Sequence, residues 1–226
     1  EIAQCLVGSE MCIRDSLWGG HRLAEEYGVK YDGKVLAEAW ELSCHPDGPS
    51  YIANGMYAGK TLQEYIDIKG KEVLGLNCRR FRDFPILTKF IDAKQKLSIQ
   101  VHPDDAYAKA AGMDNGKTEL WDIVECDEDA YIYFGVNRDM TKEEFKRRIE
   151  ENTVLEVLNK VPVHKGDYFL VEAGTIHAIG AGIVIYEIQQ NSNCTFRVYD
   201  YDRRDADGNP RKLHICLLYT SDAADD

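Results

Sequence analysis

Residues 165–190 read KGDYFLVEAGTIHAIGAGIVIYEIQQ, and this stretch decides the fold. DYFLVEA (167–173) and GIVIYEIQQ (182–190) are rich in β-branched and aromatic residues and are flanked by Gly and Asp, the composition of short strands. Between them Gly174 predicts a turn, and His177 stands at the start of a further strand. Alternate residues of an extended chain share a face, so Glu187 and Gln189 point the same way.

Working outward, LSIQVH (97–102) and AYIYFGV (130–136) have the same character. Short strands with glycine turns predict a mainly β, antiparallel sandwich or barrel instead of a parallel α/β sheet. Helices are fewer. Thr61 caps TLQEYIDIK with Glu64 completing a capping box, and Thr141 and Glu144 repeat that spacing in TKEEFKRRIEEN. Asp104 or Asp105 opens a short helix through AYAKAA (106–111). FRVYD places Arg197 on a strand after β-rich 182–190, and most of YDYDRRDADGNPR (199–211) reads as a loop with exposed charge. With no internal repeat or linker, the expectation is one β-rich domain with a helical insertion or appendage.

The formal net charge of −12 argues against nucleic acid as a partner, since that normally requires a basic face. An anionic small molecule is still within reach of a few local Arg and Lys side chains. No window approaches the ~18 uninterrupted apolar residues of a membrane span, and the first residues lack a basic-then-apolar leader, so the expected location is cytoplasmic. Residues 1–16 (EIAQCLVGSEMCIRDS) and 216–226 (CLLYTSDAADD) resemble translated sequencing-adapter read-through and are set aside as foreign tails. The expected domain is 17–215. Within it Cys44, Cys78, Cys126 and Cys194 are scattered with no C-x-x-C pair, which predicts reduced cysteines instead of a disulfide framework or a thiolate zinc knuckle.

Several residues are placed to carry chemistry. Gln100 and His102 lie two apart in IQVHPDD, on one strand face, where both reach one metal ion or where the histidine is simply packed. Glu119, in GKTELWD, is either an exposed strand residue or an inward acid needing compensation, and Lys117 shares its face if the stretch is extended. The run from Gly166 to His177 matches the second cupin motif, with Glu172 where the motif usually has proline. Gln100, His102, Glu119 and His177 together make a mixed nitrogen and oxygen set without sulfur, which favours a catalytic over a structural metal; Zn²⁺ suits it, and Fe²⁺, Mn²⁺ and Co²⁺ are tolerated. Glu187 and Arg197, on neighbouring strands, either meet in a barrel interior or form a surface pair worth about 0–1 kcal/mol.

WGGHRL (18–23), EAWELSCHPDGPS (38–50), FPILTKFIDAKQKLSIQVHPDD (84–105), GKTELWDI (116–123), AGTIHAIGAG (173–182) and EIQQNSNCTFRVYDYDR (187–203) resemble the type I mannose-6-phosphate isomerases, short bacterial kind, over nearly all of 17–215. The resemblance implies a cupin-type jelly-roll β-barrel with a few helices, lacking the C-terminal part of the family fold. That loss predicts an exposed apolar patch and reduced stability. It also implies one Zn²⁺ per subunit on Gln100, His102, Glu119 and His177, a catalytic Arg197, an active-site Glu187, and Lys117 beside them. Ser43 is implied near the phosphate. Asn193 and Cys194 stand where relatives often have Asp and Thr. The implied reaction interconverts mannose 6-phosphate and fructose 6-phosphate through a cis-enediol. The alternatives are a non-catalytic cupin that binds a sugar or sugar phosphate, and an Fe²⁺ oxygenase.

Overall fold

The computed structural model describes residues 12–14 and 17–214, apart from 32, 34, 114 and 205–207. Two antiparallel sheets carry the fold. The first runs, in spatial order, β1 (Cys12–Arg14), β2 (Glu38–Leu42), β3 (Ile86–Ala93), β10 (Ile183–Gln190), β5 (Glu119–Cys126) and β8 (Tyr168–Val171). The second runs β11 (Phe196–Tyr199), β4 (Ile99–Val101), β9 (His177–Ile179), β6 (Tyr131–Val136) and β7 (Leu158–Pro162).

The sheets meet face to face. Ile91, Trp121, Ile123, Ile183 and Ile185 from the first pack in one buried cluster with Ile132 and Ile179 from the second. Each such side chain contributes about 1.5–3 kcal/mol on leaving water, which fixes which face of each strand turns inward.

Register then places the polar residues. On β10, Glu187 lies opposite Lys89 of β3 on one side and Trp121 of β5 on the other. On β4, Gln100 lies opposite Arg197 of β11 and His177 of β9. Directly opposed residues of an antiparallel pair project to the same face, so each sheet presents one row of polar groups.

Sequence and structure agree on the strands at 130–136, 167–173 and 182–190 to within two residues, on the short strand at His177 and on Arg197 within β11. LSIQVH contracts to Ile99–Val101, with Pro103 following two residues on. The helix Leu62–Lys69 has the complete Thr61/Glu64 capping box, and Asp104 caps Asp105–Ala110. Thr141 caps Lys142–Glu150, while Glu144 turns its carboxylate to Arg138 and Arg148. Strand β3 went unread because both of its faces are covered and ILTKFIDA does not alternate.

Two expectations need correction or restriction. The segment after Tyr199 is a loop with Asp202 and Arg204 exposed, as expected, but Asp200 within it is buried and accepts hydrogen bonds from Arg203 and Arg211. Within the stretch set aside at the start, Cys12–Arg14 pairs with β2 as a strand, and the backbone groups of such a ladder are ones any extended segment offers to an open sheet edge. Residues 216–226 lie outside the described residues.

Candidate metal centre

His102 follows β4, and His177 begins β9 after the turn at Gly174. Each ring is held from behind by a backbone carbonyl: His102 Nδ1 lies 3.0 Å from the Cys194 oxygen and His177 Nδ1 lies 2.8 Å from the Thr175 oxygen. A carbonyl only accepts, so Nδ1 carries the proton and Nε2 presents a lone pair. Both Nε2 atoms face Glu119, at 3.1 Å from its Oε1 for His102 and 3.8 Å from its Oε2 for His177. One ligand atom from each of the three residues lies within 4.8 Å of the other two.

All three residues are buried. Burial and the nearby Lys117 push His102 down to about 3, and burial likewise lowers His177, so both rings are neutral. Burial alone would raise Glu119, but the Lys117 ammonium beside it outweighs this and holds the carboxyl well below its usual range. Two imidazole lone pairs and a carboxylate therefore converge without their own protons. Acceptors so placed need a positive charge among them. Lys117 Nζ supplies it, 2.6 Å from Glu119 Oε1 and 3.4 Å from His102 Nε2. Deprotonated nitrogen and oxygen donors at this spacing fit a divalent metal. Gln100 is adjacent, its Nε2 3.3 Å from His177 Nε2; its amide joins a ligand set through the oxygen instead.

A second carboxylate is tied to the first. Trp121 Nε1 donates to Glu187 Oε2 at 2.8 Å and to Glu119 Oε2 at 3.1 Å. Lys89 Nζ lies 3.0 Å from Glu187 Oε1 and 3.5 Å from Glu38 Oε2, while Trp40 Nε1 donates to that same Glu38 oxygen. Burial and the Glu119 charge raise the Glu187 carboxyl, and Lys89 opposes them. Burial works against the Lys89 charge, yet Glu187 and Glu38 together raise its pKa, so it stays an ammonium.

Gln100, Lys117, Lys89, Glu187, Arg197 and Trp18 line a cavity of about 340 Å³. Arg197 is set by Nε donating to Ser98 Oγ at 3.1 Å and by NH1 donating to the Lys212 carbonyl at 3.4 Å. The structure thus brings together all seven residues singled out for metal or catalysis. Ser43 is placed otherwise: it is buried in the 43–50 turn, where Oγ accepts the His45 amide and its own amide donates to Ser50 Oγ. Asn193 lines the cavity and donates to Asp47 at 2.8 Å. Cys194 supports His102 through its backbone oxygen, which any residue supplies.

Sequence reading passed over Lys89, Glu38 and the bridging indole of Trp121. The available signal was Lys89 itself, a charge inside the apolar run ILTKFIDA with the parity of Leu87 and Ile91.

The profile of the family phosphomannose isomerase type I, catalytic domain, matches residues 10–131. A mannose-6-phosphate isomerase of Streptococcus mutans is 44% identical over 203 residues, covering 90% of this chain and 63% of that protein. Mannose-6-phosphate isomerase ManA of Bacillus subtilis is 44% identical over 204 residues, with coverage of 90% and 63%. The chain therefore spans a little under two thirds of these relatives' length. The crystal structure of the mannose 6-phosphate isomerase from Bacillus subtilis superposes with a TM-score of 0.87 at 38% identity, covering 96% of this chain and 68% of that one.

Proposed function

The chain belongs to the type I phosphomannose isomerase family, and from that membership we propose that it interconverts mannose 6-phosphate and fructose 6-phosphate through a cis-enediol. The observation that carries the reading is the Trp121 indole shared between Glu119 and Glu187 at 3.1 and 2.8 Å, which fixes a second carboxylate, itself in the cavity lining, beside a metal-type ligand set.

Aldose–ketose isomerisation moves one proton between C1 and C2, and the difficulty is the negative charge that develops on the carbonyl oxygen. His102, Glu119 and His177, joined by Gln100, would hold a Zn²⁺ ion. Such an ion supplies a Lewis acid at the oxygens of the reacting carbons. Glu187 takes the proton from one carbon and returns it to the other. Lys89 and Trp121 hold its two oxygens, so the carboxylate keeps a single orientation through both transfers. Lys117 offers an ammonium to a substrate oxygen, and Arg197 offers a guanidinium for directed, charge-assisted bonds. Among the described residues Cys44, Cys78, Cys126 and Cys194 form no disulfide, which supports a reducing, cytoplasmic setting. Among the described residues no helix is long and apolar enough to cross a membrane.

Incubation of the zinc-loaded chain with mannose 6-phosphate in heavy water, followed by NMR, tests the reading. Fructose 6-phosphate is the expected product, with deuterium at C1 to the extent that the proton held by Glu187 exchanges with solvent before its return. Binding of zinc and sugar phosphate with no conversion would replace the reading by that of a non-catalytic sugar-phosphate-binding cupin.

A further inference from the structure

The segment after β11 carries a second construction, which reaches the cavity through Arg211. Arg197 lies opposite Gln100 in the β4–β11 ladder, and Asp200 follows three residues later, about 10 Å along an extended chain. Asp200 is 5% exposed. Its carboxylate accepts Nε and NH2 of Arg211, both at 2.6 Å, and it also binds Arg203 through Nε at 3.1 Å and through NH2. Arg203 is anchored in turn by NH1 donating to the Lys96 carbonyl at 2.7 Å. Arg211 lines the cavity together with Arg197, and burial and the Arg211 charge lower the Arg197 pKa.

One carboxylate thus fixes two guanidiniums beside a third, and the surplus charge is positive. Arg211 gives Nε and NH2 to Asp200, which leaves NH1 and the second proton of NH2 for a ligand. A pre-oriented pair of guanidiniums in the lining of one cavity matches a dianion with several acceptor oxygens. A hexose 6-phosphate carries its reacting carbons and its phosphate at opposite ends of the molecule. Resting on the isomerase reading, we propose that Arg211, positioned by Asp200 and working beside Arg197, is the phosphate-binding residue of this cavity. In this assignment Arg203 does not touch substrate; it completes the Asp200 cluster from the side of Lys96.

The test titrates mannose 6-phosphate, inorganic phosphate and unphosphorylated mannose separately into the zinc-loaded chain, comparing wild type with Arg211→Met and Arg211→Lys. The expected result is at least a tenfold loss of affinity for both phosphates in Arg211→Met, a smaller loss in Arg211→Lys, and no change for mannose. Asp200→Asn, as a positioning change, should raise the KM for mannose 6-phosphate with kcat held near wild type. Wild-type phosphate affinity in folded Arg211→Met, or in Arg211→Lys should the first variant not fold, overturns the assignment. The two readings fail separately. Inorganic phosphate held through Arg211 by a chain that converts no mannose 6-phosphate upholds the phosphate site and removes the isomerase reading. Conversion with phosphate affinity unmoved by Arg211→Met does the reverse.

Discussion

Lys89 shows how a single buried side chain organises its surroundings. Its ammonium stands between Glu187 and Glu38 in a sheet interior, so its removal leaves two carboxylates without a counter-charge. Lys89→Met should lower the unfolding free energy by about 3–5 kcal/mol, read by urea denaturation at neutral pH; a loss under 1 kcal/mol would mean that the carboxylates find other partners. Trp121 acts through one hydrogen. Trp121→Phe keeps most of the apolar volume but removes the donor shared by Glu187 and Glu119, and turnover should fall by roughly tenfold or more, given the ~1–3 kcal/mol cost of an unmet buried acceptor. An unchanged kcat would show that Glu187 needs no tether. His102 and His177 were legible because spacing and a motif marked them. Trp121 was not, since nothing in TELWDI distinguishes an indole packed in a core from one that bridges two acids.

Among the elements, β10 holds the fold's centre, flanked by β3 and β5 and carrying Glu187. Its alternation was readable because it buries Ile183, Ile185 and Glu187 on one face and leaves Ile188 more exposed on the other. Ile185→Ala should cost about 2–5 kcal/mol by denaturation, as expected for a fully buried side chain in a packed interior. A cost below 1 kcal/mol would indicate that the sheets close over the gap. Helix ends were equally legible, because capping is local chemistry: Thr61 and Glu64 bond each other's backbone amides as the spacing requires. By contrast β3 and β5 draw their register from distant partners. No local pattern announces that Lys89 will lie opposite Glu187 across the sheet.

At the scale of the whole molecule, an acidic chain of net charge −12 sets four basic side chains, Lys89, Lys117, Arg197 and Arg211, in the lining of its cavity. The Asp200 cluster ties that lining to stability. Burial alone would raise the Asp200 carboxyl, but the hydrogen bonds from Arg211 and Arg203 outweigh it, so the folded pKa lies below the unfolded one. The half-buried Glu144 is pulled down to about 2 by Arg138 and Arg148. A depressed carboxyl contributes its stability above the ordinary carboxylate range, about pH 4, and loses it as pH falls through the folded value. Urea midpoints should therefore drop between about pH 4 and pH 2, less steeply in Asp200→Asn; parallel curves for the two proteins would remove Asp200 from the acid response.

The central claim is that His102, Glu119 and His177 hold the metal that makes this cavity an isomerase. The most direct measurement is a coupled assay of mannose 6-phosphate isomerisation on the chain before chelation, after chelation, and after zinc is returned. The account predicts turnover that is lost with the metal and regained with about one zinc per chain, and it predicts no regain in His177→Ala. Full turnover in metal-free protein, or none in a folded and zinc-loaded chain, would contradict it.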